Sequence, residues 1–277
     1  MTSMLATISE QFTNASLAGT YALVGIGRGG QTPTASVGVF TFDGHGNVSG
    51  TEIKNAAGLA FNDRQLVKSS FRGTYTVDDN GSGYGSTTMT AAMSDGSSRQ
   101  IQTILLITKA ESIGSVKIAQ ELSLMQQTVD PISGSLMMYA ATRHPDGGKF
   151  SLASFQGTYG GPGIARGNQT PAIAIGIGAV HFDGKGGFTG VDVQNLPADL
   201  FHERRIATFD TSHAKYTVNE DGTGTIVGDN NSQAQLVITK ARVVEGIKVG
   251  LEYFFVTNDL LPSTGNLVTT FITKRLP

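Results

Sequence analysis

The chain has 277 residues, with 20 Lys+Arg, 22 Asp+Glu, 36 Gly, 8 Pro and neither Cys nor Trp. That length suits about two ordinary domains, each able to bury a core unaided, and zero cysteines exclude disulfides, thiolate metal sites and a cysteine nucleophile. A formal charge of −2 leaves no footprint for nucleic acid or an anionic membrane. Charged residues at 15%, against about 25% in average domains, together with abundant glycine, point to an all-β protein with tight turns.

Residues 1–14 carry neither a basic stretch nor an apolar core of the kind a secretory leader needs, so the chain reads as cytoplasmic. No run reaches the ~18 apolar residues of a membrane-spanning helix. Period-two alternation then predicts eight strands in the first half, near 19–25, 36–43, 47–54, 70–78, 83–92, 101–109, 116–126 and 134–142. Val37, Val39 and Thr41 alternate with Gly38, Phe40 and Phe42 before Asp43-Gly44, a dipeptide that tolerates the positive φ of a tight hairpin. Asn80-Gly81 gives a second turn, and Val116, Ile118, Gln120, Leu122 and Leu124 alternate with Lys117, Ala119, Glu121, Ser123 and Met125.

The series then restarts. Ser16 to Tyr21 recurs as Ser154 to Tyr159, and Gly25-Ile26-Gly27-Arg28-Gly29-Gly30-Gln31-Thr32-Pro33 recurs as Gly163-Ile164-Ala165-Arg166-Gly167-Asn168-Gln169-Thr170-Pro171, both at an offset of 138. Phe42-Asp43-Gly44 matches Phe182-Asp183-Gly184, Asn55 matches Asn195, and Tyr75-Thr76-Val77 with Asn80-Gly81 matches Tyr216-Thr217-Val218 with Asp221-Gly222. Leu105 to Ala110 matches Leu236 to Ala241, Lys117 and Glu121 fall on Lys248 and Glu252, and Thr142 falls on Thr273. The chain is therefore a tandem duplication of a unit of about 130 residues. The units are 1–146 and 147–277, joined at the short seam His144-Pro145-Asp146-Gly147-Gly148-Lys149. So brief a link implies halves that pack together. Eight antiparallel strands per unit suit two tandem up-and-down barrels, each with room for one small ligand; a two-sheet sandwich is the competing arrangement. Pro197 to Arg205 is the one stretch with room for a turn or two of helix.

Most motifs have plain readings. Gly25-Ile26-Gly27-Arg28-Gly29-Gly30 matches the dinucleotide fingerprint, but the fingerprint needs a following helix, and a strand follows here. Asp78-Asp79-Asn80-Gly81 resembles part of a calcium loop, yet position 12 of that loop is Met89, so a hairpin turn is the better reading. The five histidines have no metal-ligand spacing, and His202-Glu203-Arg204-Arg205 occurs in the second unit alone. No Gly-x-Ser-x-Gly elbow is present. Neither a metal nor a cofactor is called for.

Turn geometry accounts for the glycines of the repeated Gly-Ile-x-Arg-Gly-x-Gln-Thr-Pro block but not for Arg28, Arg166, Gln31 and Gln169. Glu121 and Glu252 are the matched carboxylates. Each pairs with its arginine either as a structural clasp at the barrel mouth or as a polar anchor and acid/base for a substrate. Tyr253 and Phe255, on the strand of Glu252, line an apolar pocket or an interface between barrels in this reading. The Gly-Thr-Tyr opening, the Phe-Asp-Gly-x-Gly hairpin and the Tyr-Thr-Val…Asp/Asn-Gly-x-Gly hairpin together resemble the eight-stranded barrels of the allene oxide cyclase-like and calycin groups. That resemblance implies a cofactor-free barrel around an apolar small molecule. The expected function is a cofactor-independent isomerase or cyclase for a natural-product-like substrate, with Arg28, Arg166, Glu121 and Glu252 as catalytic candidates and Gln31, Gln169, Tyr253 and Phe255 as substrate-binding ones. The alternative is a carrier of hydrophobic ligands. The partners this reading allows are an apolar small molecule and, in a homo-oligomer, further copies of the chain, not nucleic acid or membrane.

Overall fold

The computed structural model describes residues 11–28, 33–57, 64–114, 116–129, 134–166, 173–197, 204–229, 233–257 and 268–277. The first unit runs β1 (Gly19–Arg28), β2 (Thr34–Phe42), β3 (Asn47–Ala57), β4 (Arg64–Val77), β5 (Tyr84–Met93), β6 (Ser98–Ile113), β7 (Val116–Gln126) and β8 (Leu136–Arg143). The second runs β9 (Gln156–Arg166), β10 (Ile173–Asp183), β11 (Gly187–Pro197), β12 (Arg204–Val218), β13 (Thr223–Val227), β14 (Gln233–Val244), β15 (Ile247–Thr257) and β16 (Val268–Arg275). Each set pairs antiparallel with its chain neighbours and closes, β1 on β8 and β9 on β16. The protein is two tandem closed barrels of eight strands each. Closure removes the edges that a sandwich would leave exposed. Of the stretch Pro197 to Arg205, Pro197, Arg204 and Arg205 lie in strands, and residues 198–203 lie outside the described residues. Among the described residues no helix is long and apolar enough to cross a membrane.

The hairpins form as their turn residues dictate. Gly44 and Gly184 sit at φ 79° and 74°. The preceding Asp43 accepts the backbone N–H groups of His45 and Asn47 at 2.7 and 2.9 Å, and Asp183 does the same for Lys185 and Gly187. With the Asn47 amide also donating to it, the Asp43 carboxyl is held down at about 2.

One end of each barrel is closed by a short 3-10 turn, Asn14–Leu17 in the first and Leu152–Ser154 in the second. The Tyr75 hydroxyl donates to the Asn14 carbonyl, and the Tyr216 hydroxyl to those of Leu152 and Phe155. The Lys117 and Lys248 ammonium groups lie over the rings of Phe12 and Phe150, at 5.3 and 5.1 Å from the centroids. Both barrels also carry the same β-bulge, at Lys109 opposite Glu121 and at Lys240 opposite Glu252. Beside each bulge a buried tyrosine hydroxyl ties the strand down: Tyr21 donates to the Ala119 carbonyl at 2.9 Å and Tyr159 to that of Gly250 at 2.8 Å.

The halves pack against each other. β2 is buried on both faces because Phe40 and Phe42 point into the first barrel while Ala35, Val37 and Val39 meet Val237, Phe254 and Val256 of the second. The Asn55 amide donates to the Thr257 carbonyl at 2.6 Å across this seam. His144 packs edge-on to Phe150, and its Nε2 lies 2.8 Å from the Ile238 carbonyl. Burial holds its imidazole down at about 4, so the ring is neutral and Nε2 is the donor.

Candidate functional site

Strand alternation decides what each lumen contains. In the first barrel Tyr21, Leu23, Phe40, Phe42, Phe71, Met89, Ile101, Leu122, Leu124 and Met137 converge in one buried cluster. The backbone registers identify their counterparts in the second barrel: Leu23 faces Gly38 as Gly161 faces Gly178, Phe40 faces Tyr21 as Val180 faces Tyr159, and Phe71 faces Gly50 as Thr211 faces Gly190. Three large lumen side chains have thus become Gly161, Val180 and Thr211. In exchange Leu17, Leu122 and Leu124 correspond to Phe155, Tyr253 and Phe255, which thicken the floor rather than the middle. Phe155, Tyr159, Phe182, Tyr216 and Tyr253 stack there as one aromatic group, with Phe155 and Phe182 4.8 Å apart.

The result is a cavity of about 240 Å³ in the second lumen. Phe182, Phe188 and Tyr253 form its floor, Val180, Ile226 and Phe255 its wall, and Asp192, Gln194, Thr211 and Thr257 its upper part. The wall is also lower on one side. β5 has ten residues and β13 only five, and among the described residues β12 pairs with β13 only over Lys215–Val218. The Asp229 carboxylate takes over at the break, accepting the backbone N–H groups of Ser212 and His213 at 2.8 Å each.

Asp192 is the charged group of this chamber. It stands opposite Gly178 on β10, as Glu52 stands opposite Gly38 on β2, so the lumen carboxylate is a repeated feature. In the first barrel Glu52 is 3.8 Å from the Lys54 ammonium, and both side chains are at most 3% exposed. In the second barrel Gln194 stands where Lys54 would, and its amide donates to Asp192 Oδ2. Asp192 Oδ1 is buried with no hydrogen-bond partner among the described residues. Desolvation pushes the Asp192 carboxyl above the usual range, against the opposing effect of the Gln194 hydrogen bond.

The residues singled out from sequence fall into three groups. Tyr253 and Phe255 line the cavity. Glu121 and Glu252 do not face a lumen: Leu122 and Tyr253 point inward, so their preceding neighbours point outward. Glu252 accepts from Thr239 Oγ1 at 3.0 Å and from the Lys240 ammonium at 3.4 Å. Arg28 and Arg166 end strands β1 and β9. The backbone register does not bring the two positions of the expected arginine–glutamate clasp together in the first barrel: it sets Glu121 level with Thr142 and Ala22, six residues down β1 from Arg28, about 20 Å of strand. The equivalent offset separates Arg166 from Gly160, opposite Lys274 and Glu252. Gln31 and Gln169 lie outside the described residues.

Sequence reasoning passed over Glu52 and Asp192, which the Asn55–Asn195 match should have carried along at the same offset, and Asp229, for which the repeat holds no signal. It also passed over Arg143 and Arg275, which the registers set opposite Tyr21 and Tyr159. The same registers align Ala141, rather than Thr142, with Thr273.

No family model matches the chain, and no curated protein matches it. Among solved structures it is similar to Aeromonas veronii immune modulator A, at 10% identity over 96% of this chain and 98% of that one, with a TM-score of 0.24, a likeness too slight to bear on fold or function.

Proposed function

We propose that the second barrel is a ligand chamber, taking a small, largely apolar molecule between Val180, Phe182, Phe188 and Phe255. The observation that carries this reading is the cavity itself, a small aromatic-lined space with one convergent carboxylate, where the duplicated first barrel buries Leu23, Phe40 and Phe71 at the equivalent positions. The up-and-down barrel form, shared with the allene oxide cyclase-like and calycin groups, supports it at the level of architecture.

A second reading is favoured by Asp192. Desolvation raises the Asp192 carboxyl above the ordinary carboxylate range, which suits it to hold and pass on a proton. In a cofactor-independent isomerase or cyclase, it would act on a substrate held against the aromatic floor and shielded from water.

The test is titration of the protein with 2-phenylethanol, followed by amide chemical shifts. Saturable shifts at Val180, Phe182 and Phe255, abolished in Thr211→Phe with the fold intact, are expected. Shifts spread over the outer surface, or none, would end the ligand-chamber reading. Native mass spectrometry of protein from its own source extends the test to the natural occupant. Conversion of that molecule, lost in Asp192→Asn at saturating concentration, separates catalysis from carriage.

A further inference from the structure

We infer that the chamber is built for a primary or secondary amine, an aryl- or alkylammonium whose apolar body lies on the aromatic floor and whose cation meets the Asp192 carboxylate. This inference rests on the ligand-chamber reading and narrows it. The two barrels supply the comparison that points to a cation. Each has a carboxylate on the third strand of its unit, aimed into the lumen opposite a glycine. In the first barrel the chain provides the countercharge itself, from Lys54, two residues along the same strand face. In the second that position is Gln194, whose amide donates to one carboxylate oxygen but carries no charge. Each carboxylate has one buried oxygen without a hydrogen-bond partner among the described residues, Glu52 Oε1 and Asp192 Oδ1, so the difference between the barrels is the missing ammonium. A buried carboxylate is costly unless a cation or several donors face it.

No lysine or arginine lines the cavity among the described residues. A cationic ligand would supply that countercharge, in the place where the first barrel keeps its own ammonium.

The space beside the carboxylate fits this. Gly176 and Gly178 flank Asp192, and a methyl group on either would stand 3.0 or 3.4 Å from Oδ1. Oδ1 itself is buried against this stretch without side chains, and the Asp192 carboxylate as a whole lines the cavity. Ser36 occupies the position of Gly176 in the first barrel. The rings of Phe182, Phe188, Tyr253 and Phe255 below would cover the apolar body, and their π faces also suit a nearby cation.

Calorimetric titration with 2-phenylethylamine and with its neutral analogue 2-phenylethanol tests the inference. The amine is expected to bind at least ten-fold more tightly than the alcohol to the unaltered protein. In Asp192→Asn the two should bind alike, with alcohol affinity retained. Gln194→Lys, which restores the internal ammonium of the first barrel, should weaken the amine at least ten-fold and the alcohol far less, and it serves should Asp192→Asn fail to fold. Equal affinities in the unaltered protein, or a preference for amine that survives both substitutions, would overturn the inference while leaving a chamber for neutral molecules. Binding of neither compound would overturn the chamber and the inference together.

Discussion

The two lumens descend from one sequence and have parted in opposite directions. The first keeps Leu23, Phe40, Phe71 and Met89 and sets Lys54 beside its carboxylate; the second has Gly161, Val180 and Thr211 at three of those positions, shortens a wall strand and sets the neutral Gln194 beside Asp192. What the halves share sits at the closed ends and the bulges: Tyr21 and Tyr159, the aspartate-capped hairpins, the lysine-over-phenylalanine contacts. Scaffold positions stayed while lumen positions changed. A barrel tolerates an emptied centre because its ladder hydrogen bonds and end plugs do not depend on it.

The largest effect should come from treating the two lumens alike. Phe71→Ala is expected to cost about 3–5 kcal/mol, as deletion of a large buried ring does. Thr211→Ala, at the equivalent position beside an existing cavity, should stay within about 1 kcal/mol. Chemical denaturation of both variants measures the difference, and equal losses would mean that the first lumen is no better packed than the second.

Next comes the seam. His144 has no titratable counterpart, since Leu276 occupies the equivalent position, each donating its backbone N–H to β1 or β9. Its imidazole is held at about 4 against an ordinary 6.5, so the unfolded chain takes up the proton first. Stability from this residue is complete above pH 6.5, declines as pH falls, and is gone below about 4, a loss on the order of 3 kcal/mol. His144→Gln, which keeps a donor for the Ile238 carbonyl, should flatten the pH dependence of denaturation over that interval. An unchanged slope would place the titration elsewhere.

The smallest effects belong to the repeated glutamates. Glu252→Gln loses a half-exposed ion pair with Lys240, worth about 0.5–1 kcal/mol, and neither it nor Glu121→Gln should alter ligand affinity. A ten-fold loss of binding in either variant would return them to the site.

Much of this architecture was legible from the chain. Period-two alternation and the Asp-Gly and Asn-Gly dipeptides located the strands, because both signals are local consequences of pleat and turn geometry. The repeat located the barrels. The site was less visible. Repetition drew attention to Arg28, Glu121 and Glu252, but what is retained in both copies here includes bulge and turn positions, whereas the cavity arises from what differs. Leu23 against Gly161 and Phe71 against Thr211 are informative only once registers align them across bulges and a shortened hairpin. Tyr253 and Phe255 were found because aromatic residues on a strand alternate faces like any others. Asp192 was missed because Glu52 and Asp192 differ in kind, and an identity match cannot see a carboxylate conserved in charge alone.

The most direct measurement is a crystal pressurised with xenon, which enters apolar cavities. Xenon should occupy the second lumen between Val180, Phe182 and Phe255 and leave the first lumen, around Leu23, Phe40 and Phe71, without a bound atom. Xenon in the first barrel, or its absence from the second, would contradict the division of one packed and one hollow barrel.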